Sequence, residues 1–312
     1  MSAMTAALPQ SSGDLIADRR YAMARDFFAR GDAAAAADLL AQALEAAPRF
    51  APAWFALGEA RTALGRRDEA IAAFQEVCAL DPEDRLGAGL HLVRLGAMPA
   101  GDMPTAYVRT LFDQYAARFD TALTEGLAYR GPQILLDAVG AACAAERRTM
   151  AFAAMLDLGC GTGLAGAAFR PHVRHLAGVD LSAAMIAAAQ AKGIYDRLET
   201  GDLVSFLHAE ARADAQHALI IAADVLAYFA WLPGVLAVAA RVLAPGGLIA
   251  FTVETHPGDD VILSEKLRYA HGGGHVRAAI AGAGLTLLSL SDAATRTEAG
   301  VAVPGLVVVA KS

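Results

Sequence analysis

Cysteine is scarce in this chain of 312 residues: Cys78, Cys143 and Cys160 are its three, widely spaced and without a CxxC pair. An odd, scattered set excludes a disulfide framework and gives no support to a structural zinc site. Blocks of lysine and arginine are also missing, and 26 basic residues stand against 33 acidic ones, a formal charge of -7. The basic footprint of a nucleic-acid binder is absent. Met1 to Asp14 has neither a basic start nor an apolar run, so no signal peptide is expected and the cytoplasm is the default location. Aromatic residues amount to only 7%, which makes any local concentration of them informative.

Hydrophobic residues, by contrast, make up 56% of the chain and the mean hydropathy is +0.39. About a quarter of the residues are alanine, which favours helices without driving bilayer insertion. The stretch from Ala218 to Ala240 carries a single charge, Asp224, and is long enough for a membrane span. Asp224 near its middle, Pro233-Gly234 in its second half and the β-like Leu219, Ile220 and Ile221 argue instead for a buried strand, a loop and a helix. No membrane association is expected.

The length suggests about two domains. Residues 1–16 read as a disordered tail. From 17 to 97 an internal repeat follows: Gly31 and Gly65, Ala36 and Ala70, and Pro48 and Pro82 are each 34 residues apart, with Leu40 and Phe74 at a shared position. This is the period of the tetratricopeptide repeat, a pair of antiparallel helices. The second copy is the clearer, with Trp54, Leu57, Gly58, Ala70, Phe74 and Pro82 in register, and the segment Leu86 to Leu95 supplies a partial third unit or cap. Residues 98–150 read as a linker, "GAMPAGDMP", and lid helices. Tyr107, Leu111, Tyr115 and Phe119 recur there at helical spacing, with Phe112 beside them. The stripe fits either core packing or a lid over a pocket.

From Ala151 onward short apolar runs alternate with helical segments. Strands are expected over 154–158, 175–179, 218–222, 248–253, 285–290 and 306–310, and helices over 164–170, 183–192, 232–243 and 276–283. The alternation predicts an α/β, doubly wound, Rossmann-like sheet.

Its first strand runs into Leu-Asp157-Leu-Gly159-Cys160-Gly161-Thr-Gly163. Glycines at the end of a first strand let the backbone approach a ligand at the carboxyl edge of an open sheet. The spacing is GxGxG, not the GxGxxG of dinucleotide binders, and no phosphate-loop Lys-Ser/Thr follows. That disfavours an NAD(P)-dependent oxidoreductase. Asp180 lies 23 residues after Asp157, at the tip of the second strand candidate, where a carboxylate accepts from ribose hydroxyls. Asp202 lies 22 residues further on, where a third strand would end. Either acid also suits a helix N-cap.

"LDLGCGTG", "GVDLS", "GDL", "IIAADVLAYF" and "LAPGGLIAFTVE" resemble, in order, the motifs of the class I S-adenosylmethionine-dependent methyltransferases. The resemblance covers 151–312 and implies a seven-stranded sheet binding S-adenosylmethionine. With "VRTLFDQYAARFD" and the tandem repeats, the chain is similar to a bacterial subgroup in which tetratricopeptide repeats precede the methyltransferase. The resemblance implies that Asp157, Gly159, Gly161 and Gly163, with the backbone of Cys160, hold the methionine part of the cofactor. Asp180 would bind the ribose, Leu181 would pack on adenine, and Asp202 would accept from its amino group beside Leu203. Ala223 and Asp224 would face the sulfonium. Separately, if the aromatic stripe is a lid and not core, Tyr115 covers the cofactor.

Methyl transfer is a direct displacement, so alignment supplies much of the acceleration and a general base is needed only for an acceptor that loses a proton. No catalytic residue is assigned. Candidates on the acceptor side are His271, Tyr269 and His256, with Tyr228, Glu254 and His275 nearby. His271 and His275 have a helical metal-ligand spacing, but Gly272, Gly273 and Gly274 between them disfavour a regular helix, and no metal is expected. Asp224-Val-Leu-Ala replaces the Asn/Asp-Pro-Pro-aromatic motif of amino-methylating DNA enzymes. No cysteine follows a proline as in cytosine-C5 enzymes, and the paired glutamates of protein arginine methyltransferases are not seen. A small-molecule or protein acceptor remains, with the repeats docking a substrate or partner. The alternative is a repeat-based adaptor that keeps a cofactor-binding domain.

Overall fold

The computed structural model describes residues 11–116, 119–121 and 127–312. The chain divides between Tyr107 and Val108 into two compact units.

The first unit holds five helices, α1 (Leu15–Ala29), α2 (Ala33–Ala46), α3 (Ala51–Ala63), α4 (Arg67–Leu80) and α5 (Ala88–Arg94), and the start of α6 (Thr105–Tyr115). Helix α1 begins earlier than the expected tail allows, because the Asp14 carboxylate accepts from the amides of Ile16 and Ala17, each at 2.8 Å, and satisfies two orphan donors of the first turn. Gly31 and Gly65 follow α1 and α3 with φ of +88° and +71°, left-handed positions that reverse the chain between the helices of each repeat. Buried Ala36, Ala53, Ala56, Ala60 and Ala73 let helices approach closely around Leu40 and Leu57. In the second copy Phe74 fills the space, stacked on His91 at 4.5 Å and edge-on to Phe55 at 5.6 Å. The Trp54 indole donates to the Pro48 carbonyl at 2.9 Å, tying the repeat tryptophan to the preceding repeat's proline.

The second unit runs α7 (Phe119–Thr121), α8 (Gly131–Ala145), β1 (Phe152–Leu158), α9 (Leu164–Phe169), β2 (Val173–Asp180), α10 (Ala183–Ala191), β3 (Arg197–Thr200), α11 (Leu203–Arg212), β4 (His217–Ala222), α12 (Leu232–Arg241), β5 (Leu243–Glu254), β6 (Val261–Leu263), β7 (Tyr269–His271), α13 (Gly273–Gly282), β8 (Thr286–Asp292), β9 (Thr297–Glu298), β10 (Val301–Ala302) and β11 (Gly305–Lys311). Seven strands form the row β3-β2-β1-β4-β5-β11-β8, and the β6–β7 hairpin joins β5 through β7. The first five are parallel and β11 is antiparallel to both of its neighbours. One face packs Leu156, Leu158, Ile249, Phe251 and Val253 against apolar residues of α11, α12 and α13. The other packs Met155, Leu219, Leu248 and Ala250 against Leu135, Val139 and Cys143 of α8 and Ala165 and Phe169 of α9. Helix α8, placed by sequence with the lid segment, is thus a cover of the sheet.

The apolar run from Ala218 resolves into β4, a 3-10 turn at Leu226–Tyr228 and α12. Among the described residues no helix is long and apolar enough to cross a membrane. The glycine run at 272–274 does not prevent a helix. Gly272 is the N-cap of α13, and burial of Val276, Ala279 and Ile280 holds it, since packing of an apolar face outweighs weak propensity.

Candidate functional site

The strand order reverses between β1 and β4, each parallel to the other while the chain passes from β1 to β2 on the opposite side. A crevice outside the carboxyl ends of the strands opens at such a switch point. The loop from β1 into α9 lines it. Gly159, Gly161 and Gly163 have φ of +62°, +53° and +90°, all in the left-handed region that side chains disfavour. A Cβ on Gly159 would lie 2.5 Å from Val225, whereas at Gly161 its nearest neighbour would be Phe119, 3.7 Å away. The loop is packed against the β4 turn on one side and comparatively open at Gly161.

Asp157, one residue before the end of β1, is buried. Its Oδ2 accepts from the Tyr195 hydroxyl at 2.6 Å, and its Oδ1 has no hydrogen-bond partner among the described residues. Burial pushes its carboxyl up to about 7; the Tyr195 bond opposes the shift and the nearby Asp180 charge adds to it. Cys160 is buried, its amide donating to the Val179 carbonyl at 3.0 Å, and burial with two neighbouring carboxylates pushes its thiol far above the usual range. It is a small residue in a tight loop, not an activated nucleophile.

Asp180 ends β2. Its Oδ2 accepts from the Gly161 amide and its Oδ1 from the Ser182 amide, each at 2.8 Å, so one carboxylate links the glycine loop to the start of α10. Burial raises its pKa, against the lowering effect of these amides. Half-buried Leu181 follows it. Asp202 is the N-cap of α11, accepting from Ser205 at 2.8 Å, with half-buried Leu203 as the first helical residue.

Beyond β4, Asp224 has φ +57°. Its amide donates to Thr252 Oγ1 at 2.8 Å and its Oδ1 accepts from the same hydroxyl at 2.7 Å, while Oδ2 faces the Arg296 guanidinium at 3.5 Å. Arg296 also pairs with Glu254 at the end of β5 and with Glu298 at 3.1 Å. Arg268 joins both glutamates and Lys266 joins Glu298. Three acids and three bases therefore meet beside the carboxyl ends of β4 and β5, and Ala223 lies half-buried next to them. Tyr129, just before α8, feels the charges of Asp224, Asp157 and Arg296; burial and the two carboxylates hold its hydroxyl protonated.

Helices α6 and α7 bear on the same crevice. The Ser182 hydroxyl donates to Asp113, the Thr162 hydroxyl donates to Asp120, and Lys192 pairs with Asp120 at 2.8 Å. Phe112 meets Phe119 and Tyr228 edge-on at 6.0 and 5.5 Å. Tyr115 is 43% exposed on α6. The rest of the expected lid, residues 117–118 and 122–126, lies outside the described residues.

Of the acceptor-side candidates, Tyr269 and His271 are buried in β7. His271 Nε2 stands 3.3 Å from the Leu226 carbonyl, and burial together with His275 pushes it down to about 4, so it is neutral. Its ring stacks on His275 of α13 at 5.5 Å, and His275 meets Trp231 edge-on. No metal-binding cluster of His, Cys, Asp and Glu occurs among the described residues. His256 Nδ1 accepts from the Gly258 amide at 3.1 Å and its Nε2 donates to the Asp260 carbonyl at 3.0 Å, which commits both nitrogens to its own loop.

Sequence reasoning did not find Tyr195, Tyr129, Thr252, Arg296, Asp113 or Asp120. For Tyr195 there was a signal: Gly166 and Gly178 have no turn to explain them. Both make room for its ring.

Comparison with known proteins agrees with this division of the chain. Residues 156–251 match the model of a methyltransferase domain, and residues 21–85 that of a tetratricopeptide repeat. Over 114 residues the chain is 35% identical to the human methyltransferase-like protein 27, a match covering 36% of this chain and 45% of that protein. The chain thus spans less than half the length of this curated relative. Among solved structures, magnesium protoporphyrin IX methyltransferase from Synechocystis PCC 6803 with bound SAH aligns with a TM-score of 0.49 at 16% identity, over 66% of this chain and 98% of that one. An S-adenosylmethionine-dependent methyltransferase from Clostridium acetobutylicum aligns with a TM-score of 0.48 at 16% identity, over 64% and 98%. The chain therefore combines tetratricopeptide repeats over residues 21–85 with a methyltransferase domain over residues 156–251.

Proposed function

We propose that the chain is a methyltransferase that uses S-adenosylmethionine and transfers its methyl group to a small molecule or a protein side chain. The observation that carries this reading is the Asp180 carboxylate bonded to the Gly161 amide, which brings the second-strand acid and the left-handed glycine loop to one point of the switch-point crevice. When bound, S-adenosylmethionine supplies a methyl group on a cationic sulfur that departs as a neutral thioether. The residues fit such a ligand. Among the described residues a Cβ at Gly161 would meet nothing closer than Phe119 at 3.7 Å, and Asp157, Asp180 and Asp224 place carboxylates around the crevice that favour a cation.

The chain's own part is to orient and to exclude water. Phe112 and Tyr228 form an apolar contact over the crevice, with Asp113 and Asp120 latching α6 and α7 to Ser182 and Thr162. Tyr129, held protonated, is a hydrogen-bond donor beside Asp224. Burial makes His271 a weak base, pushed down to about 4, and both ring nitrogens of His256 are committed to its own loop, so neither suits an acceptor-side base and alignment carries the chemistry. The repeats serve as a docking module for a protein partner or substrate. Three free thiols suit the reducing cytoplasm of a bacterium.

Titration calorimetry with S-adenosylmethionine tests the reading. Wild type is expected to bind and Asp180→Ala to bind at least tenfold more weakly; absence of wild-type binding would overturn it. Binding without methyl transfer into cell extract would favour the adaptor reading.

A further inference from the structure

Tyr195 lies between α10 and β3, outside every motif that identifies the glycine loop, yet its ring fills the space beneath that loop. A Cβ added at Gly163 would come within 2.9 Å of its Cε2, one at Gly178 within 2.8 Å of its Cε1, and one at Gly166 within 2.1 Å of its hydroxyl oxygen. Three glycines from the loop, α9 and β2 thus leave room for one side chain. Gly163 also needs its left-handed φ, but Gly166 and Gly178 do not have a positive φ, so steric room for Tyr195 is what explains them.

The hydroxyl is aimed at Asp157 Oδ2, 2.6 Å away, and is the one hydrogen bond that this buried carboxylate receives from a side chain among the described residues; the Gly166 backbone amide favours its charged form as well. A buried carboxylate without donors protonates. The charged and titratable groups facing Asp157 are Tyr195 itself, Asp180, Cys160 and Tyr129. Asp180 repels an ionised Asp157, and Cys160 and Tyr129 are neutral, so none of the three stabilises its charge.

We infer that Tyr195 is a positioning residue for cofactor binding: its hydroxyl favours the ionised form of Asp157 beneath the glycine loop, and its ring seats that loop. This rests on the methyltransferase reading above, because a negative Asp157 matters for a ligand that carries positive charge on its sulfur and its ammonium group. In a dry site such a charge acts strongly over the short distances of the loop.

The test is S-adenosylmethionine affinity of the full-length chain from pH 6.0 to 8.5, for wild type, Tyr195→Phe and Asp157→Asn. Tyr195→Phe keeps the ring and loses only the donor. Its binding is expected to be about fivefold weaker near pH 7 and about tenfold weaker near pH 6, the effect of a one-unit rise in the Asp157 pKa, and to approach wild type as the pH rises. Asp157→Asn is expected to bind weakly and to lose the part of the pH dependence that wild type and Tyr195→Phe share. Equal affinity and an equal pH midpoint in wild type and Tyr195→Phe would overturn the inference, as would a loss of the same size at every pH, which marks a purely structural role. Should Tyr195→Phe fail to fold, an Asp157→Asn profile identical to wild type would overturn it alone. Failure of wild type to bind at any pH would instead overturn the functional reading.

Discussion

The Thr252 hydroxyl holds Asp224 from two sides, accepting from its amide at 2.8 Å and donating to its carboxylate at 2.7 Å. Thr252 is fully buried in β5, and Asp224 has left the β4 ladder with φ +57°. The neighbouring strand thus fixes a turn that the Asp224 backbone alone would not favour, with the carboxylate directed toward Arg296.

Thr252→Val keeps the shape and removes both bonds. A hydrogen bond to a charged group contributes about 1.5–3 kcal/mol, and urea unfolding is expected to report a loss of that size. Thr252→Ser should recover most of it. A loss below about 0.5 kcal/mol, the range of ordinary surface changes, would show that Asp224 is held by Arg296 instead.

Helix α6 reaches the crevice through Phe112, whose ring meets Tyr228, while Tyr115 stands 43% exposed. Phe112→Ala is expected to weaken S-adenosylmethionine binding about two- to tenfold, since an aromatic pair contributes about 0.5–1.5 kcal/mol beyond its area. Tyr115→Ala should change affinity less. The reverse order in calorimetry would return the covering role to Tyr115.

Asp157 titrates near 7 in the folded chain and near 3.8 when exposed. Between these values the folded state holds a proton that the unfolded state has released, so its contribution to stability is greatest at low pH and is lost as the pH rises toward 7 and just above. Asp157→Asn removes that titration. Relative to wild type, its unfolding midpoint is therefore expected to rise progressively from pH 4.5 to 8. A difference independent of pH would contradict the assignment.

In the repeat unit, a Cβ at Gly58 of α3 would lie 2.7 Å from the ring of Phe74. Replacing a helix-interior glycine by alanine stabilises by about 0.5–1 kcal/mol, but overpacking a core costs about 1–3 kcal/mol. Phe74 is fully buried between Phe55 and His91 and has nowhere to turn. Gly58→Ala is expected to lower the stability of this unit in chemical denaturation, and an increase would mean that the ring shifts freely.

Local pattern made the repeats legible, because Gly31, Gly65, Pro48 and Pro82 mark helix ends that recur with the period. It also exposed β1, its glycine loop and Asp180, since strand, turn and acid follow one another closely. Strand β3 escaped it: Arg197, Leu198, Glu199 and Thr200 form a mostly exposed edge with no apolar alternation to read. The partners of the site residues escaped for another reason. Tyr195 meets Asp157 across 38 residues, Thr252 meets Asp224 across 28, and Arg296 meets Asp224 across 72. Such meetings are decided by which strands become neighbours, and no spacing in the chain encodes that.

The strand order also sets a timetable. In the repeat unit each helix packs on the next in sequence, α1 on α2, α2 on α3 and α3 on α4, whereas the sheet must bring Met155 beside Leu219 and Leu248 beside Lys311. Chains with local contacts fold in about microseconds to milliseconds, and those with distant pairings more slowly. The two tryptophans divide between the units, Trp54 in the repeats and Trp231 ahead of α12. In stopped-flow refolding of the single-tryptophan variants Trp231→Phe and Trp54→Phe, the Trp54 signal should therefore recover first and that of Trp231 in a later, slower phase.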